Sequence, residues 1–450
     1  MRIAVIGSGV SGLASALIMD KAADVDVFEK DTRIGGHSNT VDVETEYGTI
    51  PVDTGFIVFN PKRYPNLIGM LDYLNVPSEA SDMSFALSLD RGRIEYEGSA
   101  KGLFGQPSNL LRPSYWQMVS DLMRFYRQGM AAVHAGAADE TLADFIARMR
   151  FSNAFVNYHL LPLGAAIWSC PADTMLQFPA RSFMAFMENH QLLDFTGRPR
   201  WRTVSGGSRQ YVQRILSLLK KPVRTGVHIT GLRRQAGGVM LSIAGEGDVW
   251  YDRVVMAAHA DQSLAMISDA TDAERDILGA FDFQPNMAIL HSDIRQMPKR
   301  RRLWASWNYR TGRTETGHAE KRHAEKGKTY DQSVTYWMNK LQNIQADQPM
   351  FVTLNPIDPI AEDKCHAQIS YDHPVFDQKA MTAQNKLPRV QGQNGLYFCG
   401  AWTGYGFHED GMASAVKVAK AMGFDIPWPS PTEADFDDMP FMHPTEVPAQ

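Results

Sequence analysis

At 450 residues the chain is too long for one simple core, and two or three interleaved domains are expected. Its 44% hydrophobic and 21% charged residues are ordinary for a globular protein, and a formal net charge of −5 speaks against a general nucleic-acid binder. The three cysteines, Cys170, Cys365 and Cys399, show no CxxC spacing and no ligand-like histidine pattern, so neither a metal site nor a disulfide framework is expected, and a reducing compartment suits them.

The opening MRIAVIGSG lacks the long apolar core and cleavage pattern of a signal peptide, and Asp20, Lys21 and Asp24 soon interrupt it. No run reaches the ~18 apolar residues of a spanning helix, which makes cytoplasmic the expected location. RIAVIG (2–7) reads as a buried parallel strand. GSGVSG sets Gly7, Gly9 and Gly12 in a GxGxxG pattern, LASALIM continues as a helix, and VDVFEK (25–30) reads as a second strand ending at Glu29. Gly7 permits the tight turn, Gly9 lets a pyrophosphate approach the backbone, and Gly12 lets helix and strand pack closely. The helix start offers free N–H groups to phosphates, and Glu29 stands where a carboxylate would accept from an adenosine ribose. A plain βαβ unit with a glycine-rich turn would leave Glu29 unexplained.

DTRIGGHSNT follows, a second glycine-rich turn carrying Arg33, Gly35 and Gly36, and then GTIPVDTGF with Asp53 and Gly55. An NAD dehydrogenase has no need of a second loop here. A flavin does, because its ribityl chain and ring run on past the pyrophosphate. GxGxxG, acidic strand end, RxGG and DxG in this order resemble the flavin-containing amine oxidase and phytoene-desaturase superfamily. The resemblance implies an α/β fold, with a GxGxxG Rossmann-like FAD-binding domain and an interleaved α+β substrate domain, and FAD bound non-covalently.

Further stretches match that superfamily in order. TVSGGSRQYVQRILSLL (203–219) resembles its glycine turn opening a helix, VRTGVHITGLRR (223–234) the strand whose Val227 backbone meets the adenine, and DRVVMAAHA (252–260) the strand returning to the nucleotide domain. GLYFCGAWTGYGFHEDGMASAVKVAKAM (395–422) resembles the closing strand, loop and helix. There the family aims a helix, expected here from near Gly411, at the pyrimidine end of the ring, where its dipole favours hydride acceptance. Many relatives carry an acid after the strand-end glycine, whereas here Ala401 follows Gly400. The cofactor set this resemblance implies is Gly7, Gly9, Ser11, Gly12, Glu29, Lys30, Arg33, Gly35, Gly36, His37, Asp53, Thr54, Gly55, Val227, Gly400, Ala401, Gly411, Met412 and Ala415. Its discontinuous domain is expected over 1–60, 200–260 and 385–425, with a substrate domain over 61–199 and 261–384.

Residues 61–200 read as mostly helical, from the three- and four-residue apolar recurrence in YPNLIGMLDYL, YWQMVSDLMRFYRQGM, TLADFIARM and FPARSFMAFMENH. The segment 160–195 is dense in methionine and phenylalanine, which suit either an adaptable apolar tunnel or ordinary helical core. Further on, TDAERDILGAF reads as a helix and RRLWASWNY and SVTYWMNKL as strands. On them Trp304, Trp307, Tyr336 and Trp337 are candidate pocket residues, as are Tyr405 and Phe407, with amphipathic strands as the plainer reading. The polar stretch TGRTETGHAEKRHAEKGK reads as a solvated insertion, and 426–450, rich in proline and acid, as an extended tail.

WASWNY, WMNKLQ and GFHEDG resemble a bacterial subgroup of FAD-dependent oxidoreductases implicated in forming furan fatty acids from methyl-branched acyl chains. That likeness implies a lipid or acyl-chain substrate and removal of two hydrogens, one as hydride to flavin N5 and one as a proton. A base must reach the neighbouring carbon. His408 is the candidate, with Glu409 as orienter or alternative, Asp410 as a helix cap and Lys340 as the family's water-holding lysine. The alternatives are an amine or amino-acid oxidase of the same fold and a flavin-binding partner protein without turnover. The electron acceptor is not specified by the sequence. Basic–aromatic mixing in LLRPSYWQMVSDLMRFYRQGM and KRRRLW fits peripheral contact with anionic lipid, and equally a solvent-facing helix.

Overall fold

Ile3, Ala4 and Val5 are wholly buried, which places the strand Arg2–Ile6 in the middle of a parallel sheet. It pairs on one side with Asp24–Phe28 and on the other with Arg253–Met256, which in turn holds Leu396–Phe398. A chain-distant strand thus completes the sheet begun by the first residues. The computed structural model describes residues 1–429 other than 47, 138, 169–171, 191, 194–199, 314–322 and 326–327.

The helix Val10–Met19 leaves the first strand at the glycine turn and packs against the last helix, His408–Ala421. Gly411 makes that approach possible: a Cβ there would stand 2.8 Å from both Ser11 Oγ and Val10 Cγ1. The last helix begins at His408, three residues ahead of the expected Gly411, because Asp410 reaches back to accept from the backbone N–H groups of Tyr405 (3.0 Å) and Phe407 (2.9 Å).

An eight-stranded sheet forms a second layer, in the order Cys365–Pro374, Phe283–His291, Phe351–Leu354, Lys328–Trp337, Trp307–Arg313, Phe85–Leu89 and Ile94–Glu97, with His323–Glu325 against Lys328–Trp337. Helices Pro113–Ala135, Leu142–Arg148, Leu161–Trp168 and Ala180–Asn189 gather around an apolar cluster that includes Phe125, Phe155 and Phe183. A turn of π-helix, Val156–Leu160, precedes Leu161–Trp168.

The helical periodicities of 61–200 each fall on a helix, but the same stretch also supplies three strands, Ser78–Ala80, Phe85–Leu89 and Ile94–Glu97. In the hairpin Ala86, Leu87 and Tyr96 are buried, and its turn takes positive φ at Asp90, Arg91 and Gly92. The polar stretch carrying the twofold HAEK falls largely, and the tail from 430 wholly, outside the described residues. Among the described residues, no helix is long and apolar enough to cross a membrane.

Candidate active site

A cavity of about 2110 Å³ runs from the glycine turn of the first strand to the helices of the second layer. At its nucleotide end, Gly7 takes φ +106°, and a Cβ there would meet Ala257 O at 2.7 Å. Gly9 is different. Its φ is −67°, and a Cβ added there meets no protein atom within 4 Å. Gly9 therefore faces open space at the start of a helix with no side-chain cap and no acid in its first turn. Phosphate oxygens fit such a start, where N–H groups lack partners. Gly12 packs on Gly7 O behind this cradle, and a Cβ added at Gly36 would stand 3.0 Å from Gly9 Cα.

Glu29 closes the second strand, and its Oε2 accepts from Ser8 N at 2.9 Å and Ser8 Oγ at 2.6 Å, while Oε1 accepts from Asp31 N at 3.0 Å. The carboxylate lines the cavity, and Oε1 keeps a lone pair for a ribose hydroxyl. Lys30, Arg33, Val227, Gly400 and Ala401 line it as well. The N–H of Val227 is already given to Glu29 O at 3.0 Å, which leaves its carbonyl as the group for an adenine.

Further along, His37, Thr54 and Gly55 line the cavity together with His259 and His373. The rings of His37 and His373 stand 5.3 Å apart, and His37 stacks on Tyr371 at 4.7 Å. Burial holds His37 well below its ordinary pKa and His373 at about 4, so both are neutral. His37 Nε2 and His259 Nδ1 are buried with no partner in the protein. Such atoms call for a polar ligand. With the open cradle at Gly9, they show that the residues present fit a dinucleotide.

Several expected cofactor contacts lie one layer back. Asp53 accepts from Thr40 Oγ1 (2.5 Å), Ser208 Oγ (2.8 Å) and Gln342 Nε2 (3.0 Å), and burial raises its pKa to about 6. It joins the glycine turn at 206–208 to the ribbon Thr40–Asp53 and does not line the cavity. Gly35 donates its N–H to Ser8 O at 3.1 Å. Gly411 packs between helices, and Met412 and Ala415 are wholly buried in the core. Cys399 is also buried, 3.8 Å from Ser15 Oγ, with burial pushing its thiol up to about 12.

The catalytic expectations need correction. His408 lines the cavity, stacked on Phe56 with ring centroids 3.7 Å apart. Its Nε2 is engaged by Tyr211 OH at 2.8 Å and Ser38 Oγ at 3.1 Å, and burial lowers its pKa to about 3. An imidazole that weakly basic is a poor general base. Glu409 does not orient His408: its carboxylate accepts from the N–H groups of Asn66 and Leu67, both at 3.0 Å, at the start of helix Pro65–Tyr73. Lys340 pairs with Asp82 at 3.1 Å and donates to Ser84 at 2.9 Å, so Asp82 and Ser84 line the cavity in its place.

The aromatic candidates divide: Trp304 follows a 3-10 turn, Arg301–Leu303, and the expected strand begins only at Trp307. Trp307 and Tyr336 are register partners, 4.8 Å apart, and both line the cavity. Trp304 and Trp337 pack on each other at 5.6 Å, away from it, and Trp304 gives its Nε1–H to Pro298 O. Tyr405 and Phe407 line the cavity, with Phe407 stacked on Phe186 at 4.7 Å. Beyond them extends an apolar arm walled by Leu122, Met123, Leu163, Ala166, Ile167 and Trp168. His159, on the π-helical turn, is a polar group of this region, with Nδ1 2.9 Å from Tyr96 OH. Ser38, Phe56, Tyr211 and the cavity histidines 259 and 373 escape a reading of the sequence, since none sits in a spacing that announces it.

Comparison with known proteins agrees with this geometry. The family model of flavin containing amine oxidoreductases matches residues 10–277, more than half of the chain. No curated protein matches at the sequence level. A CLA-producing fatty acid isomerase from P. acnes superposes with a TM-score of 0.61 at 16% identity, over 94% of this chain and 98% of its own. Putrescine oxidase bound to putrescine gives 0.64 at 14%, and cyclohexylamine oxidase from Brevibacterium oxydans 0.60 at 12%, each over 94% of this chain and 99% of its own. At such identities the likeness concerns the fold. The chain belongs to the flavin-containing amine oxidoreductase family and is an FAD-dependent oxidoreductase.

Proposed function

We propose that the protein is a dehydrogenase of an apolar substrate, and that this substrate is a methyl-branched unsaturated fatty acyl chain. The observation that carries the reading is the apolar arm, whose Leu122, Met123, Leu163, Ile167, Trp168 and Phe186 offer a long chain contact along its length. A fatty acid isomerase shares the fold, which is consistent with the choice.

FAD, when bound, supplies the hydride acceptor at N5. The glycine cradle and the start of helix Val10–Met19 would hold its phosphates, and Glu29 its ribose. Cys399, buried behind the closing strand, forms no bond to it. The arm desolvates the chain and holds one carbon pair in place. That pair would give up a hydride, taken by the bound flavin, and a proton from the neighbouring carbon, released to water in the cavity, leaving a new C=C bond. An allylic C–H eases the step. The hydrogen bonds of His408 Nε2 with Tyr211 and Ser38, together with its lowered basicity, speak against it as the proton acceptor.

The family's amine oxidases favour a second reading, in which an amine is the reductant. Anaerobic titration of the holoprotein separates the two. Bleaching of the flavin by methyl-branched unsaturated acyl lipids, and not by amines, is the expected result. Bleaching by amines alone would replace the acyl reading with the second.

A further inference from the structure

We propose that residues 104–116, with the basic stretch 299–302, form a docking surface for an anionic lipid bilayer at the mouth of the apolar arm. This rests on the acyl-chain reading of the arm. Among the described residues, four of the eight exposed large apolar side chains fall within this one segment. They are Phe104 (42%), Leu110 (41%), Leu111 (86%) and Trp116 (47%). The rings of Phe104 and Trp116 lie 6.0 Å apart, and Trp116 donates its Nε1–H to Leu110 O at 2.9 Å, so three of the four form one patch. The helix that begins here, Pro113–Ala135, already buries Tyr115, Met118, Leu122 and Phe125 on its inner face. Its outward Trp116 therefore adds nothing to the core.

Two relationships specify a bilayer. The patch is continuous with the cavity: Ala100 and Phe104 are exposed and also line it, as do Leu103 and Val119. An acyl chain leaving a membrane under this patch would enter without crossing water. The patch is also flanked by cations. Lys101 lies in the same short helix as Leu103. Leu303 packs onto Gly105, where a Cβ would stand 2.3 Å from Leu303 Cδ2, and this brings the 299–302 stretch alongside. Lys101, Lys299, Arg301 and Arg302 are exposed, and none forms an ion pair among the described residues. Apolar side chains, a tryptophan and cations without a carboxylate partner among the described residues are together the chemistry of an interfacial site on anionic lipid.

The test is co-sedimentation of the holoprotein with vesicles of phosphatidylcholine, alone or mixed with phosphatidylglycerol. Binding to the mixed vesicles, weakened by salt, is expected. Leu111→Asp with Trp116→Asp should weaken it at least about tenfold, and Arg301→Ala with Arg302→Ala should remove the preference for the anionic lipid. Neither pair lines the cavity, so turnover of a detergent-dispersed acyl substrate should persist in both. No sedimentation with either vesicle, or sedimentation indifferent to Leu111→Asp with Trp116→Asp, would overturn the proposal. So would a dimer in analytical ultracentrifugation that those substitutions dissolve, since a second copy would then cover the patch. Vesicle binding without acyl turnover would refute the substrate reading while supporting the docking surface.

Discussion

Glu409 and Leu67 are joined by a hydrogen bond of 3.0 Å, from the Leu67 N–H to Glu409 Oε2, across two helices that meet end to end. The acid next to His408 is thus an external cap for helix Pro65–Tyr73, whose first residue is a proline and whose own start carries no side-chain cap.

Burial raises the Glu409 carboxyl from 4.5 to about 7. The fold then binds that proton more tightly than the unfolded chain does. Glu409 consequently costs stability progressively as pH rises from about 4.5 to about 7, and in full above that. Glu409→Gln should gain stability relative to the parent between about pH 5 and pH 8. Glu409→Ala, which removes the acceptor, should cost about 1–2 kcal/mol at the lower pH. Denaturant unfolding at the two pH values checks both.

Tyr211 and His408 should behave as a coupled pair. A double-mutant cycle with Tyr211→Phe and His408→Gln should show an interaction of about 1 kcal/mol in unfolding experiments. His408→Gln should leave the pH dependence of kcat/KM unchanged between about pH 5 and pH 8, because the ring is already neutral there. A limb of the profile lost on substitution would restore His408 as the base.

The two turn glycines should fail in different ways. Gly7→Ala forces a left-handed φ on alanine and a clash with Ala257 O, so the unliganded protein itself should be destabilised. Gly9→Ala strains nothing but projects into the cradle. It should leave the melting of the unliganded protein unchanged while weakening FAD binding by about tenfold or more, or about 1.4 kcal/mol. Calorimetry of FAD-free protein and fluorescence titration with FAD distinguish the two.

Leu163→Trp should shorten the apolar arm. Turnover of long acyl chains should fall by about tenfold or more while the spectrum of bound flavin stays as it was. Comparison of chain lengths by stopped-flow flavin reduction is the measurement.

The nucleotide end was legible because backbone geometry there demands particular residues: only glycine tolerates the φ of Gly7, and only an acid serves at Glu29. The hairpin 85–97 carried its own signal, a largely apolar FALSL and an alternating IEYE around DRGR, which the helical periodicity on either side obscured. In the aromatic strands, alternation makes Tyr336 and Trp337 face apart, but which of the two meets the cavity depends on the layer packed against them. The meeting of Ser38, Tyr211 and His408 had no local signature at all. Those three come together only because the ribbon, the glycine-turn helix and the last helix converge.

The strand Leu396–Phe398 has a consequence for synthesis. It is made last among the four of its sheet, and the helix that covers Val10–Met19 follows it. A nascent chain emerging from the ribosome would hold the apolar flank of its first strands unshielded until almost all of it has been translated. Such long-range closure slows folding and exposes the chain to aggregation. Chains terminated before residue 396 should therefore depend on chaperones or be degraded, however well their glycine motif is preserved.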